Sequence, residues 1–363
     1  MMYNDQFLEG KINERKAINA FRALRLPSDK VDFHSNDYLG IVHHCLIQLK
    51  DQGLAHGSMG SRLLSGNDAL IETVEAEIAH FHQAATGLIF NTGYDANLGL
   101  LSSVPQRGDT ILYDYLCHAS IRDGIRLSLA KSFSFEHNNH TDLEQKLRIA
   151  TGTIFIVTES VFSMDGDLAN LNELVSIAEK YHAHLIVDEA HATGVIGKMG
   201  EGLVQSCRLT DRVFARIHTF GKALGCHGAI VLGSSNLKNY LINFARSFIY
   251  STALPPIAIA AIQASYRLFP KMVNERASIQ QLIHHFNMAS IRFEKLHSNT
   301  PIQIVIIPGN DPVKSMANQL QNAGLDVRAI LYPTVPKNSE RLRIILHAFN
   351  SIEELNVLIQ LLQ

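Results

Sequence analysis

The stretch AHLIVDEAH (183–191) runs through Leu185, Ile186 and Val187 without a polar break, stops on Asp188, and carries His191 three positions later. A short apolar run that does not alternate reads as a strand buried on both faces, the situation of a parallel sheet covered by helices. The pattern recurs on either side of it, in GLIFNTGY (87–94), DTILYD (109–114), TIFIVTES (153–160), RVFARIHTF (212–220) and GAIVLG (228–233). Helical stretches such as ALIETVEAEIAHFHQ (69–83) separate these runs. Strands alternating with helices predict an α/β fold with a mostly parallel central sheet.

Further out the pattern changes. FARSFIYSTALPP (244–256) ends in a double proline, which predicts a boundary or break before a long helix at about 257–298. The tail then reads strand (302–307), helix (311–323), strand (325–331), strand (341–346) and helix (351–362), a compact α+β arrangement. At the other end, DQFLEGKINERKAINAFRALRL (5–26) spaces Leu8, Ile12, Ala17, Phe21 and Leu24 roughly as a helix does, ahead of Pro27. The expected organisation is an N-terminal helical arm (1–35), a large α/β domain (36–256) and a smaller C-terminal α+β domain (257–363).

With 363 residues, 46% of them hydrophobic and 18% charged, the chain has material for one well-buried large domain and a smaller one. Lysine and arginine number 32 against 34 acidic residues, a formal charge of −2, so no global field favours nucleic acid or a membrane surface. An anionic ligand must therefore be held by a local site. Cys45, Cys117, Cys207 and Cys226 lie far apart without a C-x-x-C pair, which argues against a zinc cage or a disulfide framework and for a reducing, cytoplasmic setting. No signal segment or apolar membrane span is expected.

Common chemistries are excluded by their missing motifs. Gly221-Lys222 is followed by Ala223 and preceded by Arg216 where a phosphate-binding loop needs glycine, and no G-x-G-x-x-G follows a strand. H-E-x-x-H and G-x-S-x-G are both absent, and the pairs His182/His184 and His137/His140 read as surface, so no metal is expected. What remains is a set of polar residues at strand ends. Asp188 and His191 follow one buried run, at the carboxyl edge where open α/β sheets bind ligands. Thirty-four positions after Asp188, TFGKALG (219–225) sets Thr219 and Lys222 among small residues, where desolvation makes an amine a competent nucleophile. NTGYDAN (91–97) puts Gly93 and Tyr94 at a helix start, a ready anion site. Singly each has an ordinary reading: Asp188 as a cap, His191 as a core histidine, Lys222 as a surface lysine, Gly93 as a turn. Together they ask for pyridoxal phosphate, which needs a Schiff-base lysine, an acid at the ring nitrogen and a phosphate cup.

A longer set of motifs carries a resemblance: FHSNDYLG (33–40), GSMGSRLLSGN (57–67), CHASIRDG (117–124), TESVFSMDGDLANL (158–171), VDEAHATGVIG (187–197), HTFGKALGCHGA (218–229), FIYSTALPP (248–256) and YPTVPKNSERLRI (332–344). In this order they resemble the α-oxoamine synthases, fold-type I pyridoxal-phosphate enzymes, over nearly the whole chain. The resemblance implies that Lys222 carries the cofactor and then acts as base, that Asp188 keeps the ring nitrogen protonated, and that His118 stacks on the ring. Ser163 and His191 would lie near the phenolic oxygen. Gly93, Tyr94 and Thr219 would frame the phosphate, with Ser251 and Thr252 reaching it from the second subunit of a homodimer. Asn36 and Arg343 match positions that grip the amino-acid carboxylate, and Arg22 and Thr334 match positions contacting the acyl substrate. The implied reaction is a decarboxylative condensation of L-alanine with a pimeloyl thioester, on coenzyme A or an acyl-carrier protein, in the biotin-making branch of the family. Two departures stand out. AILYPTVP (329–336) has Leu331 and Tyr332 where that branch commonly has an arginine, and Met59 replaces a small residue. The tyrosine-proline step is similar to the glycine-using branch, so a glycine acyltransferase is the alternative, and a catalytically silent binding protein a more distant one.

Overall fold

The structure, a computed structural model, describes residues 3–27, 29–49 and 53–363. The chain forms two units, one of Asp37–Ser163 with Leu168–Arg276, the other of residues up to Asn36 with Met164–Asp167 and Ala277–Gln363. The larger unit is built on seven strands: β1 (Thr86–Phe90), β2 (Thr110–Asp114), β3 (Lys131–Phe135), β4 (Ile154–Glu159), β5 (His184–Asp188), β6 (Ala215–Thr219) and β7 (Ala229–Gly233). Their order is β1-β7-β6-β5-β4-β2-β3, parallel throughout except that β7 runs against both its neighbours.

The unbroken apolar runs follow from this placement. Ile186 points to a core shared with Leu100, Ile121 and Phe248, whereas Leu185 and Val187 point to the opposite core with Leu143, Leu174 and Val175. Period-two alternation thus sends successive residues into two hydrophobic layers, and no position of the run is free to be polar. β3 escapes a reading by pattern because Lys131, Ser132, Phe133 and Ser134 are all exposed on this edge strand, whereas β1 at the opposite edge is largely buried.

In the smaller unit, β8 (Glu294–Leu296), β9 (Ile302–Ile306), β10 (Arg328–Ile330) and β11 (Arg341–Ile345) form an antiparallel sheet in the order β10-β11-β9-β8. Helices Asn310–Asn322 and Ile352–Leu362 belong to the same unit. The expected strand 325–331 is two pieces, because Leu325–Asp326 pairs in parallel with Val31–Asp32 while β10 joins the four-stranded antiparallel sheet. The long helix expected over 257–298 is also broken. Pro256–Leu268 gives way to a turn at Phe269–Lys271, where Pro270 cannot continue the hydrogen-bond ladder, and the chain resumes as Val273–Met288. The N-terminal helix is shorter than its spacing implies. It ends at Ala17, just before Asn19 turns to φ +52°, and Phe21 and Leu24 lie beyond it, exposed.

A buried polar cluster lies in the larger unit. His82 Nε2 meets the Tyr266 hydroxyl at 3.0 Å, the His82 and His218 rings are 4.0 Å apart, Arg216 Nη2 donates to the His82 carbonyl at 2.8 Å, and His218 Nδ1 meets Thr193 Oγ1 at 2.8 Å. Burial, then the Arg216 charge, pushes His82 from 6.5 down to about 3, and burial pushes His218 well below its ordinary value. Both rings are therefore neutral in the folded protein. The unfolded chain takes up protons near 6.5 while the folded one holds off until about 3, so stability is full above pH 6.5 and is lost as pH falls through that interval. Urea unfolding at a series of pH values is expected to show the midpoint falling over this range, and His82→Phe is expected to flatten the fall.

Candidate active site

The carboxyl edge of the large sheet collects the polar residues that the apolar runs cannot hold. Asp188, at the end of β5, is 6% exposed. Its Oδ2 accepts from Asn97 Nδ2 at 2.7 Å and its Oδ1 from the Ala190 N–H at 2.9 Å. Asn97 sits on the inner side of helix Gly93–Ser103 and donates also to Ser120 Oγ at 3.0 Å. The carboxylate is thus fixed in direction by neutral donors, which leaves its charge available to a cationic group.

Helix Gly93–Ser103 begins where β1 ends. Thr92 Oγ1 accepts the Asp95 N–H at 3.0 Å and caps it. The N–H groups of Gly93 and Tyr94 meet no acceptor among the described residues, so the first turn offers donors and the positive end of the helix dipole to an anion. Thr219 faces this turn, since a Cβ built on Gly93 would come 3.6 Å from its Oγ1. The Tyr94 hydroxyl donates a short hydrogen bond to Asp123 Oδ2, which fixes the exposed ring; this bond raises the phenol's pKa and lowers that of Asp123.

Lys222 stands half-buried in the turn between β6 and β7, flanked by the buried side chains of Phe220, Ala223 and Leu224. Gly225 closes this turn at φ +63°, with its N–H bonded to the Lys222 carbonyl at 2.9 Å; a Cβ there would press to 2.6 Å from Ile41 Cγ2. Only glycine fits both the angle and the space.

His118 caps helix Ala119–Leu127 from the end of β2. Its Nδ1 meets Ser120 Oγ at 2.8 Å, and its backbone N–H donates to Glu159 Oε1 at 2.5 Å. The ring is exposed, yet partial desolvation lowers its pKa, with the charges of Lys222 and Arg122 acting the same way and Asp188 opposing. Glu159 ends β4 directly beside Asp188 in the strand register and is buried. Burial first, then the Asp188 charge, pushes it up to about 8, against the opposing pull of Lys222. Lys222 and Asp188 therefore act on the same two groups, and the sequence-predicted lysine, acid and histidine are electrostatic neighbours. His191 is held by Tyr38, whose hydroxyl lies 2.6 Å from Nδ1, and Ser163 is buried shortly after β4. Ser251 and Thr252 follow helix Arg246–Ile249, and the Thr252 carbonyl accepts from Asn91 Nδ2 at 2.7 Å within the same chain.

The other expected contacts pair up in the smaller unit. Arg343 on β11 is 9% exposed, and its Nη2 donates to Asn36 Oδ1 at 3.1 Å. Its strand neighbour Arg341 pairs instead with Asp165 at 2.5 Å. Arg22 Nη2 donates to Thr334 Oγ1 at 2.9 Å. Four supporting residues escaped the sequence reading: Asn97, Glu159, Tyr38 and Asp123. Asn97 and Glu159 lie inside motifs already quoted, NTGYDAN and TES, where a polar residue on a helix's inner face or at a strand end is the available signal.

These residues fit pyridoxal phosphate. A buried carboxylate suits a protonated ring nitrogen, the open first helical turn suits a phosphate, and a half-buried lysine suits the aldehyde. If Asn97 holds Asp188 for that ring, Asn97→Ala is expected to weaken cofactor binding about tenfold by loosening one charge-assisted hydrogen bond, measured by absorbance titration of cofactor-free protein.

The profile of the family "Aminotransferase class I and II" matches residues 28–362. Among curated relatives, an 8-amino-7-oxononanoate synthase of Emericella nidulans is 44% identical, across 92% of this chain and 89% of its own length. Among solved structures, a Sphingomonas wittichii serine palmitoyltransferase superposes with TM-score 0.88 at 26% identity, covering 99% of this chain and 97% of that one. An 8-amino-7-oxononanoate synthase from Francisella tularensis superposes with TM-score 0.75 at 30% identity, covering 92% and 96%.

Proposed function

Because the chain belongs to the aminotransferase class I and II family of pyridoxal-phosphate enzymes, we propose that it acts as an 8-amino-7-oxononanoate synthase in biotin biosynthesis. L-Alanine and a pimeloyl thioester would be joined, with loss of CO2 and release of the carrier thiol. The observation that carries the reading is the carboxyl edge of the large sheet, where Asp188 ends β5 with its oxygens held by Asn97 Nδ2 and the Ala190 N–H, His118 caps the helix after β2 and Lys222 stands half-buried after β6.

When bound, pyridoxal phosphate supplies an electron sink for the pair left on the amino-acid Cα. Everything else falls to the chain. Asp188, aimed by Asn97, keeps a proton on the ring nitrogen and so deepens the sink. Lys222 would anchor the cofactor and would be the base that takes the Cα proton on Nζ. His118, whose pKa desolvation lowers so that its neutral form is favoured, would lie against the cofactor ring. Ser163 and His191 attend the phenolic oxygen, with Tyr38 fixing the imidazole. Gly93, Tyr94 and Thr219 would frame the phosphate, and Ser251 with Thr252 would complete its cup from a second subunit, so the reading takes a homodimer, in the cytoplasm, as the working form.

Asn36 and Arg343 grip the alanine carboxylate, since the guanidinium fork binds carboxylate in two places. Arg22 and Thr334 border the acyl substrate. Over the cycle a carbon–carbon bond forms between Cα and the thioester carbonyl, the carbon–sulfur bond breaks to release thiol, and the carboxylate leaves as CO2. Holding both reactants in one place removes much of the entropic barrier.

The test is turnover of L-alanine with pimeloyl thioester, followed by mass detection of the amino-oxo acid product. Lys222→Ala is expected to lower the rate by roughly 10³-fold or more, since both anchor and base are lost. Arg343→Lys is expected to raise the alanine KM by about tenfold or more with a smaller change in kcat, because a point charge replaces a two-point clamp. Turnover of glycine with acetyl thioester while alanine stays inert would establish the glycine-using reading instead.

A further inference from the structure

His347 lies two residues beyond β11 in the smaller unit and is fully buried. Its backbone N–H donates to Asn350 Oδ1 at 2.9 Å, and its ring Nδ1 lies 3.0 Å from the same oxygen. On the other side of the ring, Nε2 lies 3.0 Å from the Ser35 carbonyl oxygen and 3.2 Å from Ser35 Oγ. The Phe349 ring stacks against it, 4.7 Å between centroids at 11°.

These partners decide where the protons sit. Asn350 Nδ2 donates to the Asp32 carbonyl at 3.1 Å, so the amide turns Oδ1 toward His347; the reverse orientation would set donor against donor and acceptor against acceptor. Oδ1 carries no hydrogen, and Nδ1 is therefore the donor. The Ser35 carbonyl carries none either, so its contact with Nε2 is a hydrogen bond only when that nitrogen is protonated too. An imidazolium satisfies both contacts. In a neutral ring Nε2 accepts from the Ser35 hydroxyl instead, and the Ser35 carbonyl faces a lone pair at 3.0 Å. Loss of one proton thus turns attraction of the Ser35 backbone into repulsion.

A cation buried this deeply needs negative charge near by. Asp32 supplies it, bonded to the same two residues that hold the ring: its Oδ1 accepts the His34 and Ser35 N–H groups at 2.8 and 2.9 Å, and its carbonyl accepts from Asn350. Burial raises this carboxyl, but the hydrogen bonds from His34 and Ser35 outweigh it and hold it well below the usual carboxylate range, so Asp32 stays ionised. The face of Phe349 suits a cation as well. Among the neighbouring charged groups, His34 Nδ1 is 2.9 Å from Asp32 Oδ1 and 3.5 Å from Asp326 Oδ2, and Asp326 also pairs with Arg328 at 2.7 Å. Glu354, in the first turn of the following helix, accepts the Ser351 N–H at 2.8 Å. Of these side-chain types, only histidine changes charge near neutral pH.

The backbone that responds to the ring carries Asn36, whose Oδ1 accepts from Arg343 Nη2 at 3.1 Å. Two residues earlier than Ser35, the Phe33 carbonyl is pinned by the Ile345 N–H at 2.8 Å, so a push on Ser35 is taken up by Ser35 and Asn36. We propose that His347 is a positioning residue for amino-acid binding: as an imidazolium it draws the Ser35–Asn36 backbone to the place where Asn36 and Arg343 together receive the substrate carboxylate. The proposal rests on the carboxylate-gripping role given to Asn36 and Arg343 above. Amino-acid affinity then falls as pH rises and the ring loses its proton, while the rate at saturation changes less.

The experiment reads the alanine dissociation constant from the visible band of the cofactor-loaded protein, alongside alanine KM and kcat, over about pH 5.5 to 9. Titration of the alanine amine and of the cofactor is common to all variants and cancels in the comparison between them. Relative to His347→Gln, the wild-type protein is expected to bind alanine about tenfold more tightly at low pH and to lose that advantage in a single step as pH rises. His34→Gln is expected to keep the step. Ser35→Ala is a mild change that deletes the hydroxyl serving the neutral ring and keeps the carbonyl serving the charged one. It is expected to move the step up by roughly half to one pH unit, a response that a merely structural histidine would not give. A step that survives in His347→Gln or vanishes in His34→Gln, or an unmoved midpoint in Ser35→Ala, overturns the proposal. A protein without the band, or with a band blind to alanine, overturns the parent reading. A responsive band with the same pH profile in wild type and His347→Gln overturns this proposal alone.

Discussion

A single carboxylate at the end of a buried strand organises the larger unit. Asp188 follows an apolar run packed on both faces, so its charge is placed where desolvation alone costs several kcal/mol. Two neutral donors, Asn97 Nδ2 and the Ala190 N–H, hold its oxygens without cancelling that charge. In the proposed reading a protonated pyridine nitrogen would supply a cation to this carboxylate, and binding it would offset part of the burial cost. On that reading, cofactor affinity and the position of Asp188 would be one interaction seen from two sides.

Its consequences spread along the sheet edge. Glu159 occupies the next strand in register, and two adjacent buried carboxylates do not both ionise easily. Burial first, then the Asp188 charge, pushes Glu159 up to about 8, which leaves it largely protonated near neutrality. Its Oε1 still accepts the His118 N–H, so the residue that loses its charge keeps a positioning task at the helix cap. Lys222 works in the opposite direction on both Glu159 and His118.

The large sheet was legible in the sequence because burial on both faces allows no polar interruption. The runs around Leu88, Ile156, Ile186 and Ile230 could hardly be anything else once they recur between helices. The edge strand Lys131–Phe135 was not legible for the same reason in reverse: its exposure removes the constraint that writes the pattern. At the site, Lys222, Asp188 and His191 were readable from their place after strands, whereas roles for Arg22, Asn36 and Thr334 came only with the family resemblance. Asn97, Tyr38 and Glu159 stayed hidden because a supporting residue is defined by what it touches. Asn97 meets Asp188 across 91 positions of chain, and Tyr38 meets His191 across 153. No spacing rule reaches that far. Pro270 breaks the helix expected over 257–298, because a proline inside an apolar stretch outweighs the stretch.

The most direct test of the account is where the cofactor attaches. Protein loaded with pyridoxal phosphate is reduced with borohydride, digested and mapped by mass spectrometry. The account requires the pyridoxyl mass on the peptide containing Lys222 and on no other lysine. An unmodified Lys222 peptide, or the adduct on a different side chain, would contradict it.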